Sequence, residues 1–365
     1  MTFLKYLAWA GCGILGFGVM SLLYFLTRRI RNNCLRILFF VVKAVAGIGL
    51  AYLLIAEASP FMWKFDYPLM AFDIALMADC AADILMQFSS SARSGKGNKY
   101  RYLVLALVVV ASLLYGTINM QIIKANHLSY TSTKLSKKHT FVFISDLHYG
   151  SAQNQSAVEK AFKEIKELQP DFILLGGDIT DEHTEKSEME WTYQQLGSLG
   201  VPVYFVYGNH DRQDRGDYIG GKKYTEEEVR TAIEKNDITI LEDSVVEIDN
   251  DLILVGREDV TRNTRKAVSQ LPAFSREAYV LCVDHSPYNY DDIKELKADL
   301  RLSGHTHAGQ FFPMQTLYNL AGFIANGEHD VGGNKVYVSP GIGGWYLPYR
   351  TEAHCQYEVI ELIPE

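Results

Sequence analysis

Cysteine is scarce in this chain of 365 residues, with five at positions 12, 34, 80, 282 and 355, and no CxxC spacing among them. A disulfide framework and a thiolate zinc site are therefore excluded as organising devices. Basic charge is also in deficit: Lys plus Arg total 35 against 43 Asp plus Glu, a formal net charge of −8. Without a basic stripe, a nucleic-acid partner is not expected, although nucleotides remain possible substrates. Internal repeats and low-complexity tracts are absent.

Long apolar runs are present, and they are confined to the first third. Phe3–Leu26, Leu35–Ala56 and Tyr102–Ile123 have the length and apolarity of membrane helices, and Leu69–Phe88 is long enough to span despite Asp73, Asp79 and Asp83. The first run exceeds a signal-peptide core and has no small-x-small cleavage site after it, so it is expected to stay. Residues 1–123 thus read as a four-helix transmembrane region, with Lys43 and Asp79 at similar depth and able to pair. Arginines and lysines crowd the first and third short loops (Arg28, Arg29, Arg31, Arg36; Arg93, Lys96, Lys99, Arg101), which places those loops in the cytoplasm. A multi-pass cell-membrane protein follows, with the lipid bilayer as partner and everything after Ile123 outside the cytoplasm. Residues 124–139, polar and lysine-rich, read as a linker without periodicity.

From Thr140 the pattern alternates between short apolar runs and stretches of helical spacing, Ser156–Leu168, Glu188–Leu199 and Glu226–Glu234, so residues 140–365 are expected to form an α/β domain. Five of the apolar runs end in the same residue types. "FVFISDLH" ends in Asp146 and His148, "FILLGGD" in Asp178, "VYFVYGNHD" in Asn209, His210 and Asp211, "YVLCVDH" in Asp284 and His285, and "LRLSGHTH" in His305 and His307. Ligands of open α/β sheets bind beyond the carboxyl ends of strands, where these runs deliver their last residues. A packed core has little use for so many polar groups that each need a partner. Carboxylate, carboxamide and imidazole without thiolate suit Mn, Fe or Zn in a hydrolytic site, and the number of candidates exceeds what one tetrahedral ion requires.

In this order D-x-H, G-D-x-x-D, G-N-H-D, a lone strand-end His and G-H-x-H resemble the calcineurin-like metallophosphoesterases. They read Asp146-Leu147-His148, Gly177-Asp178-Ile179-Thr180-Asp181, Gly208-Asn209-His210-Asp211, His285, and Gly304-His305-Thr306-His307, and the resemblance spans about residues 140–363. The ending "VSPGIGGWYLPYR" together with "GHTHAGQ" is similar to the membrane-associated bacterial branch, which includes hydrolases of lipid-linked UDP-sugar pyrophosphates. A glycine more often follows the second histidine there; this chain has Ala308, with little consequence expected.

The resemblance implies an α/β/β/α sandwich and a two-metal site. Asp146, His148 and His307 would bind one divalent ion, Asn209, His285 and His305 the other, and Asp178 would bridge. His210 would approach the substrate without binding metal, oriented by Asp211; Asp181 would fix the loop after the bridge, and Asp284 would be scaffold. A hydroxide between the ions would attack phosphorus and expel an alcohol or phosphate. Arg212, Arg215, Lys222, Lys223 and Arg350 are candidates to clamp a second phosphate or are solvated loop residues. The apolar stretch "AGQFFPMQTLYNLAGFIA", with Trp345, Tyr346 and Tyr349, suits a lipid-linked phosphorylated substrate or is ordinary core. Two other readings stand beside this one: a dinuclear amidohydrolase, disfavoured because D-x-H opens the series and H-x-H closes it, and a membrane sensor or transport partner that binds without turnover.

Overall fold

The computed structural model describes residues 101–365, except 217–220 and 289, together with Cys34, Ile37, Leu38, Val41, Val42, Val45 and Ile74, which are helical. The expected spans at 3–26, 35–56 and 69–88 otherwise lie outside the described residues. The chain divides into two units, Met1–Tyr115 and Gly116–Glu365.

The fourth apolar run is helical as α1 (Arg101–Met120), with Val104, Leu107, Val110, Leu114 and Ile118 exposed. Its last turn belongs to the second unit. Asn119 and Met120 are buried, Asn119 Nδ2 donates to Arg350 O at 3.1 Å and Ala353 O at 2.9 Å, and Gly116 O accepts from Arg350 N at 3.0 Å. The part before Gly116 rises about 22 Å at 1.5 Å per residue, against a hydrocarbon core of about 30 Å. Among the described residues no helix is long and apolar enough to cross a membrane.

Residues 124–139 are not the linker the sequence suggested. Most of them form β1 (Ile123–Ser132), which pairs residue by residue with β12 (Cys355–Pro364) in parallel. Asn126, Leu128 and Tyr130 turn inward while His127, Ser129 and Thr131 stay exposed. The period of two is there, but only two of its inward residues are strongly apolar. Backbone pairing along the whole strand supplies what side-chain hydrophobicity does not.

Two mixed six-stranded sheets face each other. The first runs β1-β12-β2-β3-β4-β5, with β2 (His139–Ile144), β3 (Phe172–Leu175), β4 (Val203–Phe205) and β5 (Ile238–Ile240) mutually parallel. In the second, with order β10-β11-β9-β8-β7-β6, the parallel centre is β7 (Leu252–Gly256), β8 (Tyr279–Val283), β9 (Leu300–Ser303) and β11 (Asn334–Val338). Its antiparallel edges are β6 (Ser244–Asp249) and β10 (Gly327–Val331).

Alternation along each strand builds the layers. Phe141 and Phe143 of β2 point between the sheets with Phe172, Leu174, Leu254, Leu281, Leu300 and Leu302, and Phe141 stacks on Phe172 at 4.8 Å. Val142 and Ile144 point the other way, against the buried faces of α2 (Gln155–Leu168), α3 (Lys186–Gly197) and α4 (Glu226–Glu234). Each fully buried side chain of this size contributes about 1.5–3 kcal/mol. The three helices match the stretches expected from spacing, and Asn154 and Thr225 cap the first and third. On the outer face of the second sheet, Ile253, Val255, Val280 and Cys282 pack with Leu296 of the short α5 (Tyr290–Leu296). The expected α/β/β/α sandwich is the observed one.

Candidate metal centre

The carboxyl ends of β2, β3, β4, β8 and β9 open toward one point. Asp146 and His148 follow β2, Asp178 follows β3, Asn209 and His210 follow β4, His285 follows β8, and His305 and His307 follow β9. The two sheets are joined there: His305 N donates to Asp146 Oδ1 at 2.9 Å, and His285 Nδ1 pairs with Gly176 O at 2.9 Å.

Two groups of ligand-type atoms result, Asp146, His148 and His307 in one and Asp178, His285 and His305 in the other, with the atoms of each group all within 4.8 Å of one another. Asp178 touches both groups, its Oδ2 lying 3.0 Å from His285 Nε2 and 3.7 Å from His148 Nε2. Within the groups His307 Nε2 is 3.6 Å from Asp146 Oδ1, and His305 Nδ1 is 3.2 Å from His285 Nε2. Half-buried Asn209 keeps a buried Oδ1 with no hydrogen-bond partner. All seven residues singled out in the sequence as ligands are thus brought to the one end of the sandwich.

The backbone is held in an unusual shape to achieve this. Asp146 (φ 55), His148 (φ 45), Asp178 (φ 51), His305 (φ 73) and His307 (φ 50) are all left-handed, a conformation that costs non-glycine residues about 1–3 kcal/mol each. Neighbouring backbone fixes them: Asp146 N donates to Gly177 O at 2.9 Å and His148 N to Asp178 O at 3.1 Å. The motif glycines exist for close approach, because a Cβ on Gly208 would lie 2.1 Å from Asp178 Oδ1 and one on Gly304 2.1 Å from Asp146 Oδ2. Ala308 is left-handed as well (φ 51), which is a physical reason for glycine at that place.

Burial alone would discharge every group here, and proximity decides which stay charged. Burial pushes the Asp146 carboxyl up, opposed in part by His285. Burial works against both members of the close Asp178–His285 pair, yet their attraction outweighs it, holding Asp178 well below and His285 well above their usual values. Burial and the facing His285 push His305 down to about 3, and burial with His148 holds His307 far below the usual range. The lowered imidazoles of His305 and His307 offer lone pairs, the state a divalent ion requires, and His285 and His148, raised by the carboxylates beside them, would give up a proton on binding one. The orphaned oxygen of Asn209, the imidazoles and the clustered carboxylates fit a pair of hard-to-borderline cations.

The residues around the ligands behave differently from expectation in one respect. Asp211 does not orient His210. Its Oδ2 accepts from Asp178 N (2.8 Å) and Gly208 N (2.7 Å), its Oδ1 from Ile179 N and Thr180 N, so it clamps the loop that carries Asp178. His210 Nδ1 instead pairs with Glu182 Oε2 at 2.7 Å, and His210 N donates to Asp178 Oδ1 at 2.8 Å. Nothing in the spacing of G-D-I-T-D-E distinguished Glu182 from an ordinary loop residue. Asp181 accepts from the backbone N–H groups of His183 and Thr184 and lies 3.2 Å from His148 Nδ1, fixing both loop and ring. Asp284 is scaffold, paired with Arg265 and Arg301 at 2.6 Å each.

Four of the five candidate phosphate clamps, Arg212, Arg350, Lys222 and Lys223, are engaged elsewhere. Arg212 is buried over the Tyr207 ring (3.5 Å) and paired with Glu226, Glu242 and Glu258. Arg350 is buried and donates to backbone carbonyls, among them His307 O at 2.7 Å and Gly343 O at 3.2 Å, so it ties the last ligand loop to the chain end. Lys222 pairs with Asp214 and Lys223 with Glu185, and Arg215 also has an interaction partner. A further unforeseen contributor is Gln310, whose Nε2 donates to Trp345 O, Leu347 O and Tyr349 O, each at 3.1 Å.

Residues 139–309 match the calcineurin-like phosphoesterase family. The chain carries a calcineurin-like phosphoesterase domain. Around this phosphoesterase domain the similarity extends to an uncharacterized metallophosphoesterase of Helicobacter pylori, 30% identical over 243 residues, or 64% of this chain and 62% of that protein. The chain therefore matches somewhat under two thirds of that relative's length. A zebrafish (Danio rerio) transmembrane protein with metallophosphoesterase domain is 26% identical, covering 75% of this chain and 65% of that protein. Phosphodiesterase YaeI of Escherichia coli is 27% identical, covering 61% and 81%. The metallophosphoesterases use divalent metals, and both groups of candidate ligands lie within the family match.

Proposed function

We propose that the chain is a two-metal phosphoesterase, with Asp146, His148 and His307 holding one ion, Asn209, His285 and His305 the other, and Asp178 shared. The observation that carries this reading is the Asp178 carboxylate set against imidazoles of both groups. Bound Mn, Fe or Zn ions would polarise phosphoryl oxygens and acidify water. His210, whose Nδ1 pairs with Glu182 Oε2, would pass a proton to the departing alkoxide. Glu182 holds that ring in place, and Asp211 and Asp181 hold the loops that present Asp178 and His148.

The substrate in this reading is a phosphoester or pyrophosphate in a lipid-linked molecule, and the protein sits at a membrane with its catalytic domain outside the cytoplasm. Support comes from the apolar N-terminal third, from the arginine-rich short loops, and from the exposed apolar side chains of α1. The zebrafish relative named as transmembrane and the relative named as a phosphodiesterase point the same way.

The test is direct. Full-length protein loaded with Mn is expected to hydrolyse bis(p-nitrophenyl) phosphate, to lose that activity to a chelator and to recover it on Mn addition. Incubation with a lipid extract should release phosphorus-containing products missing from the Asp178→Asn variant; identical products from both proteins would remove the lipid phosphoesterase reading.

A further inference from the structure

Aromatic rings lead out of the metal centre in two directions. On one side His148 meets both His307 (5.0 Å between centroids) and His210 (5.4 Å), and His210 meets Trp345 (5.9 Å). On the other, His285 meets His305 (5.1 Å), His305 meets Tyr288 (5.5 Å) and Tyr288 meets Phe323 (5.3 Å). Phe323 is 46% exposed and Leu320, three residues before it, 79%. Together with Phe312, 70% exposed on the same segment, they make an apolar ledge, and from Phe323 rings lead through Tyr288 to the candidate ligand His305.

The segment that carries them is fastened down. Phe312 N donates to Thr351 Oγ1 (2.8 Å), Gln315 N at the start of α6 (Met314–Leu320) donates to Glu352 Oε2 (2.7 Å), and Phe323 N closes the turn onto Tyr318 O (2.9 Å). Its apolar tips are thus presented on fixed backbone. Meanwhile Arg212, Lys222, Lys223 and Arg350, four of the cations that the sequence offered for a second phosphate, are engaged in other contacts. One phosphate-binding centre flanked by an apolar ledge calls for a substrate with one phosphate and a hydrocarbon substituent.

We propose that Tyr288, Leu320 and Phe323 form the subsite for an alkyl or acyl-chain substituent that stays on phosphorus, so that the enzyme prefers phosphodiesters with a hydrocarbon arm. This rests on the phosphoesterase reading above. His210, with Trp345 beside it, faces the alcohol that leaves, and the ledge on the His305 side takes the arm that remains. In the reaction the water oxygen forms a bond to phosphorus, the bond to the leaving oxygen breaks, one water proton goes to that oxygen and the other to solvent. The product is the monoester of the hydrocarbon arm.

The experiment uses the full-length, Mn-loaded protein and 4-methylumbelliferyl phosphodiesters whose second substituent is methyl, butyl or octyl. kcat/KM is expected to rise about tenfold or more from methyl to octyl, the effect of burying a few methylenes. In Leu320→Ser/Phe323→Ser that ratio should fall to near one, while Leu168→Ser, an exposed leucine remote in sequence from the site, should keep it. Binding is read separately, by calorimetry with octylphosphonate and methylphosphonate, and the octyl preference should vanish in the same double variant. A flat series in the wild type overturns the proposal. So does a double variant that keeps the octyl preference but no longer binds phosphatidylglycerol vesicles, because the ledge is then a membrane surface. Failure to hydrolyse any diester, with the octylphosphonate preference intact, sinks the phosphoesterase reading and leaves the ledge standing as a ligand site.

Discussion

Asp284 and His285 are neighbours in the chain, yet they face two different kinds of polar interior. Asp284 belongs to a closed cluster, in which Arg265 and Arg301 pair with it, Arg257 pairs with Asp243 and Asp292, and Arg212 pairs with Glu258. His285 belongs to an open one, in which Asn209 Oδ1 and His148 Nε2 are buried without a hydrogen-bond partner and five residues hold a left-handed backbone. Both are buried and rich in charge. In the first, every arginine has a carboxylate, so the cluster can only hold loops together. In the second, imidazole and carboxylate ligand atoms of residues far apart in the chain converge with polar atoms left unpaired, the arrangement a cation completes.

That contrast can be broken from either side. The largest effect is expected from Asp178→Asn, which should lower kcat/KM by on the order of 10³-fold; elemental analysis should find fewer than two metal ions per chain, with the melting temperature of the metal-free protein little changed. Arg301→Leu should do the reverse. It leaves Asp284 with Arg265 alone and is expected to destabilise by about 1–3 kcal/mol, read by urea unfolding, while two metals still bind.

Glu182→Gln sharpens the picture within the open cluster. A loss of about 10- to 100-fold is expected on an alkyl leaving group and a much smaller one on p-nitrophenol, which departs without a proton. A uniform loss on both would mean that Glu182 only supports the loop.

Glu358 tests buried charge at the margin of the open cluster, where Asp146 acts on it. Burial, with Asp146 adding to it, pushes its carboxyl up to about 8, and its Oε1 accepts from Ser339 Oγ and Gln356 Nε2. A raised acid is protonated in the folded state, so stability should be full below its ordinary value of 4.5 and decline as pH rises toward 8. Glu358→Gln should flatten that decline in a series of thermal melts. The smallest effect is Ala308→Gly, which relieves a left-handed alanine and should stabilise by up to about 1 kcal/mol in the same melts.

Much of the site was legible because strand ends advertise themselves. An apolar run of four to six residues that stops at Asp, Asn or His is a local signal, and five such runs placed all seven ligand candidates and His210. β1 was missed because its inward residues include Asn126, and a polar strand is recognisable only once its partner β12 is known. Arg212 and Arg350 looked like phosphate clamps because a basic residue beside a motif gives no sign of its direction. Three glutamates around one and a ring of carbonyls around the other decide it. Glu182 went unnoticed and Asp211 was given the wrong partner for the same reason, since both lie within a motif or next to one and only loop geometry assigns their partners.

By itself the sequence determined an α/β domain, the order of its strands' chemistry and the identities of the ligand-type residues, because alternation and strand termination depend on near neighbours in the chain; the sandwich came from the family resemblance. Only the tertiary structure decided how those residues divide into two groups around Asp178, which charges close on themselves, and which apolar side chains stand open beside the site. Those are relations between residues from about twenty to more than a hundred positions apart, and they exist only when two sheets pack face to face and their strand ends meet.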